Sequence, residues 1–317
     1  MFAQDKQLNR TPTAVALCSL GREKLITNSL AKTSVLTGLA LVAFAANSVL
    51  CRLALGNEAI DAASFTVIRL LSGAAVLFLI IRITQKKSES SAKGSWIASL
   101  MLFLYAISFS YAYISLDTGT GALILFGSVQ ITMILLSLIS GARLHTTEWA
   151  GVIIAFAGFV YLILPGVTTP STAGFLLMAV AGVAWGIYTL KGRSSHNPLM
   201  DTAYNFFRTI PLVILVSLFT FSHANYSSEG VLLALLSGGI TSGVGYTIWY
   251  IALGGLSATQ AAVVQLLVPV IAAMGGVMFM SEIITLRLTI SAAMVLGGVL
   301  MVVLGKYYFT QHKQDAT

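Results

Sequence analysis

The chain has 317 residues, of which 57% are hydrophobic and only 9% charged, with a net charge of +7 and a mean hydropathy of +0.88. A soluble domain carries about 25% charged residues, so this composition excludes a soluble globular protein. Its 2 cysteines, Cys18 and Cys51, support neither a disulfide framework nor a metal site.

A membrane-spanning helix needs roughly 20 predominantly apolar residues. Ten segments meet that length: 33–56, 61–83, 95–116, 118–140, 147–164, 171–190, 201–222, 229–253, 257–280 and 285–305. The expected fold class is therefore an all-α integral membrane bundle. Residues 1–32 and 306–317 are expected as tails. The apolar stretch Ala14 to Leu20 is a weak signal-peptide candidate, at the bottom of the length range for such a core and followed by Arg22 and Lys24 where a small-residue cleavage site belongs.

Numbering the loops alternately sorts the basic residues. Lys6, Arg10, Arg22, Lys24, Lys32, Arg82, Lys86, Lys87, Lys93, Arg143, Lys191, Arg193, Lys306 and Lys313 fall on one side, and only Arg52 and Arg287 on the other. The positive-inside rule then places both termini in the cytoplasm. The basic excess is a topology signal and predicts no nucleic-acid partner. The longest hydrophilic breaks, Arg82 to Gly94 and Lys191 to Met200, are expected as cytoplasmic loops, and Pro165 to Pro170 as an outer connector.

Small residues recur at helix-packing spacing, as Gly151 with Ala155, Gly182 with Gly186, and Gly239 with Gly243. Pro211 and Pro269 lie mid-segment, where each removes a backbone donor and is expected to kink its helix. Both are candidate hinges, and static packing kinks fit equally.

The chain also lies over itself at an offset of 139 residues, the spacing from Arg69 to Arg208. Tyr111 then falls on Tyr250, Thr120 on Thr259 and Gly158 on Gly297, with the polar breaks in step. Residues 33–164 and 171–305 become two copies of five segments each. Five is odd, so the second copy enters the bilayer inverted, the plan of secondary transporters with a midplane site.

The run Leu267-Val-Pro-Val-Ile-Ala-Ala-Met-Gly-Gly-Val-Met-Phe-Met-Ser-Glu282, followed by Gly297-Gly-Val-Leu, resembles the C-terminal signature of the EamA family of the drug/metabolite transporter superfamily. Ser64-Phe-Thr-Val-Ile-Arg69 resembles the family's second-helix pattern, and Tyr204-Asn-Phe-Phe-Arg208 its echo. The resemblance implies ten helices in two inverted repeats, with export or exchange of amino acids and other small metabolites across the inner membrane. The first copy departs from the motif: Gln130 stands opposite Pro269 and Arg143 opposite Glu282.

Every carboxylate and histidine falls in a tail, a loop or at a segment end. Proton-driven carriers usually hold a titratable group within the membrane, so a uniporter or exchanger is expected. Arg69 and Arg208 are the most deeply embedded charges, about two turns from a segment end and within snorkelling reach. A gate or substrate contact and a structural anchor are both open for them, a substrate carboxylate being the sharpest form of the first.

Unpaired polar groups are costly in hydrocarbon. Asn47, Gln130 and Gln265 must therefore face a cavity or another helix. With Tyr111, Trp185, Tyr188, Tyr246 and Trp249 they form the candidate substrate-binding set, polar groups among aromatic walls. The copies break symmetry at Gln130 against Pro269, Asn47 against Gly186, and Ala46 against Trp185, where an asymmetric substrate would be held. Trp96, Trp149 and Tyr161 read as interface-belt residues.

The expected function is a secondary transporter of small neutral or zwitterionic metabolites, amino acids first, working by alternating access in the cytoplasmic membrane. Its partners would be a small-molecule substrate and membrane lipids, as a monomer or weak homodimer, with no cofactor and no metal. No Gly-x-x-x-x-Gly-Lys-Ser/Thr run offers a nucleotide site. An integral-membrane enzyme lacks a clustered catalytic set, and a scaffold reading lacks a domain to carry a signal.

Overall fold

The computed structural model of the chain describes residues 12–84, 94–139, 141, 145–164, 170–192, 195, 197–256 and 258–314. The loop at 85–93, the connector at 165–169, Arg143 and His196 lie outside them. The elements are α1 (Pro12–Gly56), α2 (Ala62–Thr84), α3 (Trp96–Ala112), α4 (Thr118–Ile139), α5 (Thr146–Ile163), α6 (Thr172–Gly192), α7 (Pro198–Thr220), α8 (Ser228–Leu253), α9 in two pieces (Ala258–Gln265 and Val268–Met280), and α10 (Leu286–Gln314).

All ten expected segments are helical, and among the described residues 9 helical stretches are long and apolar enough to cross a membrane, with Trp96–Ala112 shorter. Leu79, Ile139, Ile153, Phe156, Leu218 and Met278 project outward from this bundle, exposed without a protein neighbour to cover them. Apolar side chains facing out around a helical bundle are what lipid contact requires. The protein is an all-α integral membrane protein.

Several boundaries differ from the expectation, and α10 runs past residue 305 to Gln314, so most of the expected C-terminal tail continues the last helix. α1 reaches back to Pro12, so the part of the expected tail from Pro12 onward continues the first helix. α3 ends at Ala112 instead of running to Leu116: Tyr113 closes the helix by donating its N–H to Phe109 and Ser110. α9 breaks at Leu266-Leu267, just before Pro269 in the first turn of its second piece, where the missing N–H costs no helical bond. Pro211, in contrast, sits exposed within an unbroken α7.

Helix starts follow capping chemistry. The Asn197 side chain accepts from the Met200 N–H at 3.2 Å ahead of Pro198, and Ser227 accepts from Gly230 at 3.0 Å. His145 and Glu148 form a capping box, with the His145 N–H donating to Glu148 at 2.6 Å.

The packing partners cross between the two halves of the chain. α3 lies on α6 and α7, and α1 on α8 and α9; α4 lies on α6 and α9, and α2 on α7 and α8. α5 pairs with α10 at the side. Exchanging each helix of the first half with its counterpart five later returns the same set of pairs.

The small residues expected at helix contacts lie there. Gly182 and Gly186 of α6 meet α4 at Leu125, Ser128 and Thr132, while Gly239 and Gly243 of α8 meet Val76 of α2. Gly151 and Ala155 of α5 press on Gly298 of α10. Close backbone approach supplies dispersion contacts that apolar bulk cannot supply in lipid.

Candidate functional site

The middle of α8, Ser237–Val244, is wound as a π-helix. Its sequence, Ser-Gly-Gly-Ile-Thr-Ser-Gly-Val, is small enough to let α8 meet α1 and α2, and Gly238 abuts the Arg69 carbonyl and Ser72. Such local rewinding recurs at functional sites. Here it turns Ser237 and Thr241 toward Asn47 of α1.

Asn47 is engaged through both ends of its amide. Its amide oxygen accepts from Ser237 Oγ at 2.6 Å and Thr241 Oγ1 at 3.2 Å, and its Nδ2 donates to the Tyr105 hydroxyl at 3.3 Å. Arg69 Nη2 donates to the same hydroxyl at 2.9 Å. Three helices of the first half and one of the second thus share one polar network.

Beside this network lies a cavity of about 370 Å³. Phe44 of α1, Gln130 and Met133 of α4, Trp185 and Tyr188 of α6, Tyr246, Trp249 and Tyr250 of α8, and Ala261 and Gln265 of α9 surround it. It extends to Gly192, Ser195, Gly254 and Leu256 at the ends of α6 and α8. Its rings are packed edge to face or tilted: Phe44 stands 5.6 Å from Trp249 and 5.9 Å from Tyr246, and Trp185 stands 5.1 Å from Tyr246 and 5.3 Å from Tyr188.

A second, small chamber of about 20 Å³, room for a single water, adjoins it. Phe44, Trp185 and Tyr246 border both spaces and form the partition. Asn47, Tyr105, Phe109 and Thr241 line the deeper side.

Of the residues expected from sequence, Gln130, Trp185, Tyr188, Tyr246, Trp249 and Gln265 come together on the larger cavity, and Asn47 on the smaller. Tyr111 does not join them. It lies 38% exposed at the far end of α3, in a surface cleft with Leu55, Ile60, Asp61 and Asn225. Phe44, Tyr105 and Thr241 belong to the site and were not in the expected set. Tyr105 was legible as a buried polar ring, whereas a Phe in an apolar run carries no signal.

Arg69 does not snorkel. It is 2% exposed, its guanidinium is stacked 4.9 Å from the Phe109 ring and 5.1 Å from the Tyr105 ring, and Nη1 has no hydrogen-bond partner. Arg208 is half-buried and rests 5.4 Å from the Trp96 ring, near the start of α3. The two arginines, equivalent by offset, thus have different surroundings. Pro269 is buried where α9 is broken, next to the turn that follows Gln265.

The opposite end of the molecule is tied together by two seams. Arg52 of α1 pairs with Glu282 at 3.5 Å and with Asp117 at 3.6 Å, and its Nη1 donates to the Tyr113 and Ile114 carbonyls at 3.1 Å each. Glu282 in turn accepts from the Thr118 N–H at 2.9 Å and its hydroxyl at 3.0 Å, at the N-terminus of α4. In the second seam Ile60 bridges Tyr226, Asp61 accepts from the Asn225 N–H at 3.0 Å, and Ser227 donates to the Ala59 carbonyl at 2.8 Å.

Among the described residues, no group of three or more His, Cys, Asp or Glu is placed to hold a metal ion. A membrane bundle that encloses an aromatic and polar chamber between its two halves has the form of a membrane transporter. The model of the EamA-like transporter family matches residues 172–304, the second half of the chain. An uncharacterized protein of Pseudomonas aeruginosa is 45% identical over 271 residues, covering 86% of this chain and 94% of its own. A probable amino-acid metabolite efflux pump of Escherichia coli is 25% identical over 63% of this chain and 72% of its own. A solved crystal structure has the same fold, with a TM-score of 0.59 at 19% identity, over 84% of this chain and 97% of that one. The chain belongs to the EamA-like transporter family, within the drug/metabolite transporter superfamily.

Proposed function

We propose that the protein is a secondary transporter that carries small neutral or zwitterionic metabolites, foremost amino acids, across the cytoplasmic membrane as an exporter or exchanger. The observation that carries this reading is the chamber of about 370 Å³ walled by both halves of the chain and extending to Gly192 and Leu256. Alternating access requires such a site between two bodies that rock against each other. The exchange-symmetric packing of the helices supports two inverted five-helix repeats, 33–164 and 171–305, as those bodies.

The amino-acid substrate class draws on the chamber's polar and aromatic walls and on the printed name of the Escherichia coli relative. The basic loops orient the protein with both termini in the cytoplasm, which makes the Gly192 end the cytoplasmic one. No carboxylate or histidine of the described residues lines either chamber, in keeping with an exchanger or uniporter that does not carry protons.

Counterflow in proteoliposomes tests the proposal. Vesicles preloaded with an unlabelled L-amino acid should take up the same labelled amino acid in a saturable manner, unchanged by an imposed pH gradient. Absence of counterflow across a full amino-acid panel would overturn the substrate class, and accumulation driven by the pH gradient would overturn the coupling.

A further inference from the structure

We infer that Arg69 is the anchor for a substrate carboxylate, and that the small chamber behind the Phe44–Trp185–Tyr246 partition is where that carboxylate enters. The inference rests on the transporter reading and narrows its substrate class to α-amino acids and related monocarboxylates.

An arginine within a membrane bundle is costly unless something compensates its charge. Arg52, near the tied end, has Glu282 and Asp117. Arg69 lies deeper, 2% exposed, and among the described residues no carboxylate forms an ion pair with it. The rings of Tyr105 and Phe109 offset part of the cost through their faces. One hydrogen bond to Tyr105 uses Nη2, and Nη1 is left with none. A buried guanidinium offers a planar fork of donors matched to a carboxylate.

The surroundings point to where that ligand sits. Tyr105 and Phe109, which Arg69 stacks on, are themselves walls of the small chamber. Tyr105 accepts from both Arg69 and Asn47, and its hydroxyl also meets that of Tyr246. A carboxylate entering there would need the Phe44–Trp185–Tyr246 partition to move, since the space holds about one water, and would reach Arg69 past the Tyr105 and Phe109 rings on which it is stacked. The remainder of the ligand would extend past Trp185 into the larger chamber, where the faces of Trp185, Tyr246 and Trp249 suit an ammonium group and an apolar side chain.

This arrangement sets a selectivity that aromatic walls alone would not. Arg69 lies behind the Tyr105 and Phe109 walls, and no acidic side chain is among the described lining residues, so the proposed anchor would act with no competing carboxylate in the lining. It should reject organic cations that lack a carboxylate, and it should distinguish an amino acid from its own amide.

The test compares L-phenylalanine, L-phenylalaninamide and phenethylamine as ligands of the purified full-length protein, read by thermal shift, and then as counterflow substrates. L-Phenylalanine should half-saturate at a concentration at least about tenfold below the amide, the worth of a charge-assisted hydrogen bond, and phenethylamine should not bind. Arg69→Gln should bring acid and amide to the same weak affinity, and Arg69→Lys should restore part of the preference. Should Arg69→Gln not fold, the acid-to-amide ratio in the unaltered protein decides alone. Equal affinity for acid and amide there, or an undiminished preference in Arg69→Gln, overturns the inference. Counterflow without acid preference sinks this inference and leaves the transporter reading standing; no shift and no flux with any amino acid sinks both.

Discussion

Arg52 at the end of α1 and Glu282 just past the end of α9 face each other at 3.5 Å, one from each half of the chain. Two features place Glu282 there. Ser281 turns the chain with φ 54° and ψ 30°, in the left-handed region, and the Glu282 N–H returns to the Gly276 carbonyl at 3.2 Å. The carboxylate then folds over Gly276, where a Cβ would collide with it, and reaches the first N–H of α4. Arg52 also occupies the carbonyls freed where α3 ends, a favourable place for a cation. One ion pair therefore ties α1, α3, α4 and α9 together at that end.

That tie predicts an asymmetry between the two acids that Arg52 contacts. Glu282 is 11% exposed and Asp117 is 58% exposed. Glu282→Gln should cost about 1–3 kcal/mol, because it weakens charge-assisted bonds to groups largely out of water. Asp117→Asn should cost less than about 1 kcal/mol, as exposed pairs do. Unfolding of both variants in mixed micelles measures the difference.

The left-handed residue gives a prediction of opposite sign. A side chain at φ 54° costs about 1–2 kcal/mol relative to glycine in the folded state, and glycine returns part of that as unfolded-chain entropy. Ser281→Gly should therefore raise stability by about 0.5–1 kcal/mol, seen as a higher melting temperature in detergent.

Adjacent glycines of α10 should behave differently. Gly297 has open space where a Cβ would be added, whereas a Cβ on Gly298 would collide with the Gly151 carbonyl and lie 2.7 Å from the Ala155 nitrogen. Gly297→Ala should be neutral or stabilising by up to about 1 kcal/mol from helix propensity. Gly298→Ala should separate α5 from α10 and cost about 1–3 kcal/mol through overpacking. Melting temperatures of the two single variants, made side by side, check it.

Placement of the aromatic residues predicts transport kinetics. Trp185 touches Tyr105, Tyr188 and Tyr246 at 4.7, 5.3 and 5.1 Å between centroids and borders both chambers. Trp185→Ala should raise the half-saturating concentration in counterflow at least about tenfold, the worth of a well-packed aromatic contact. Tyr111→Ala, at the far cleft, should leave it within about twofold, as for a residue that touches no substrate.

The bundle was legible because lipid demands long apolar helices and basic loops, and both are compositional signals. Gln130, Gln265, Trp185 and Trp249 stood out because a polar or large aromatic residue inside an apolar run needs a reason. Tyr111 was misread for a geometric cause. It follows Tyr105 by six positions on α3, about 240° further round at 100° per residue, so the two cannot share a face. Periodicity could not decide between them, since Ser108 and Ser110 also spread polarity around that helix. Phe44 is one apolar residue among many until its ring is seen against Trp249. The π-turn of α8 and the break in α9 depend on which helices pass nearby, and no local pattern states that. Arg52 read as a loop charge that marked topology; only the return of Glu282 over Gly276 made it a tie between halves.

Under the proposed alternating access, the end tied by the Arg52–Glu282 and Ile60–Tyr226 contacts must open for substrate to pass through the chamber. Ile60 and Tyr226 are paired in an antiparallel bridge across that end. Paired residues in such a bridge have Cα atoms about 4.5–5.5 Å apart, within the span of a disulfide. Ile60→Cys with Tyr226→Cys, in a chain whose Cys18 and Cys51 are replaced, should therefore oxidise to a lock. Counterflow of a labelled amino acid should stop in the oxidised protein and return with reductant, while the reduced double variant transports normally. Full-rate counterflow with the lock closed would contradict alternating access at this site.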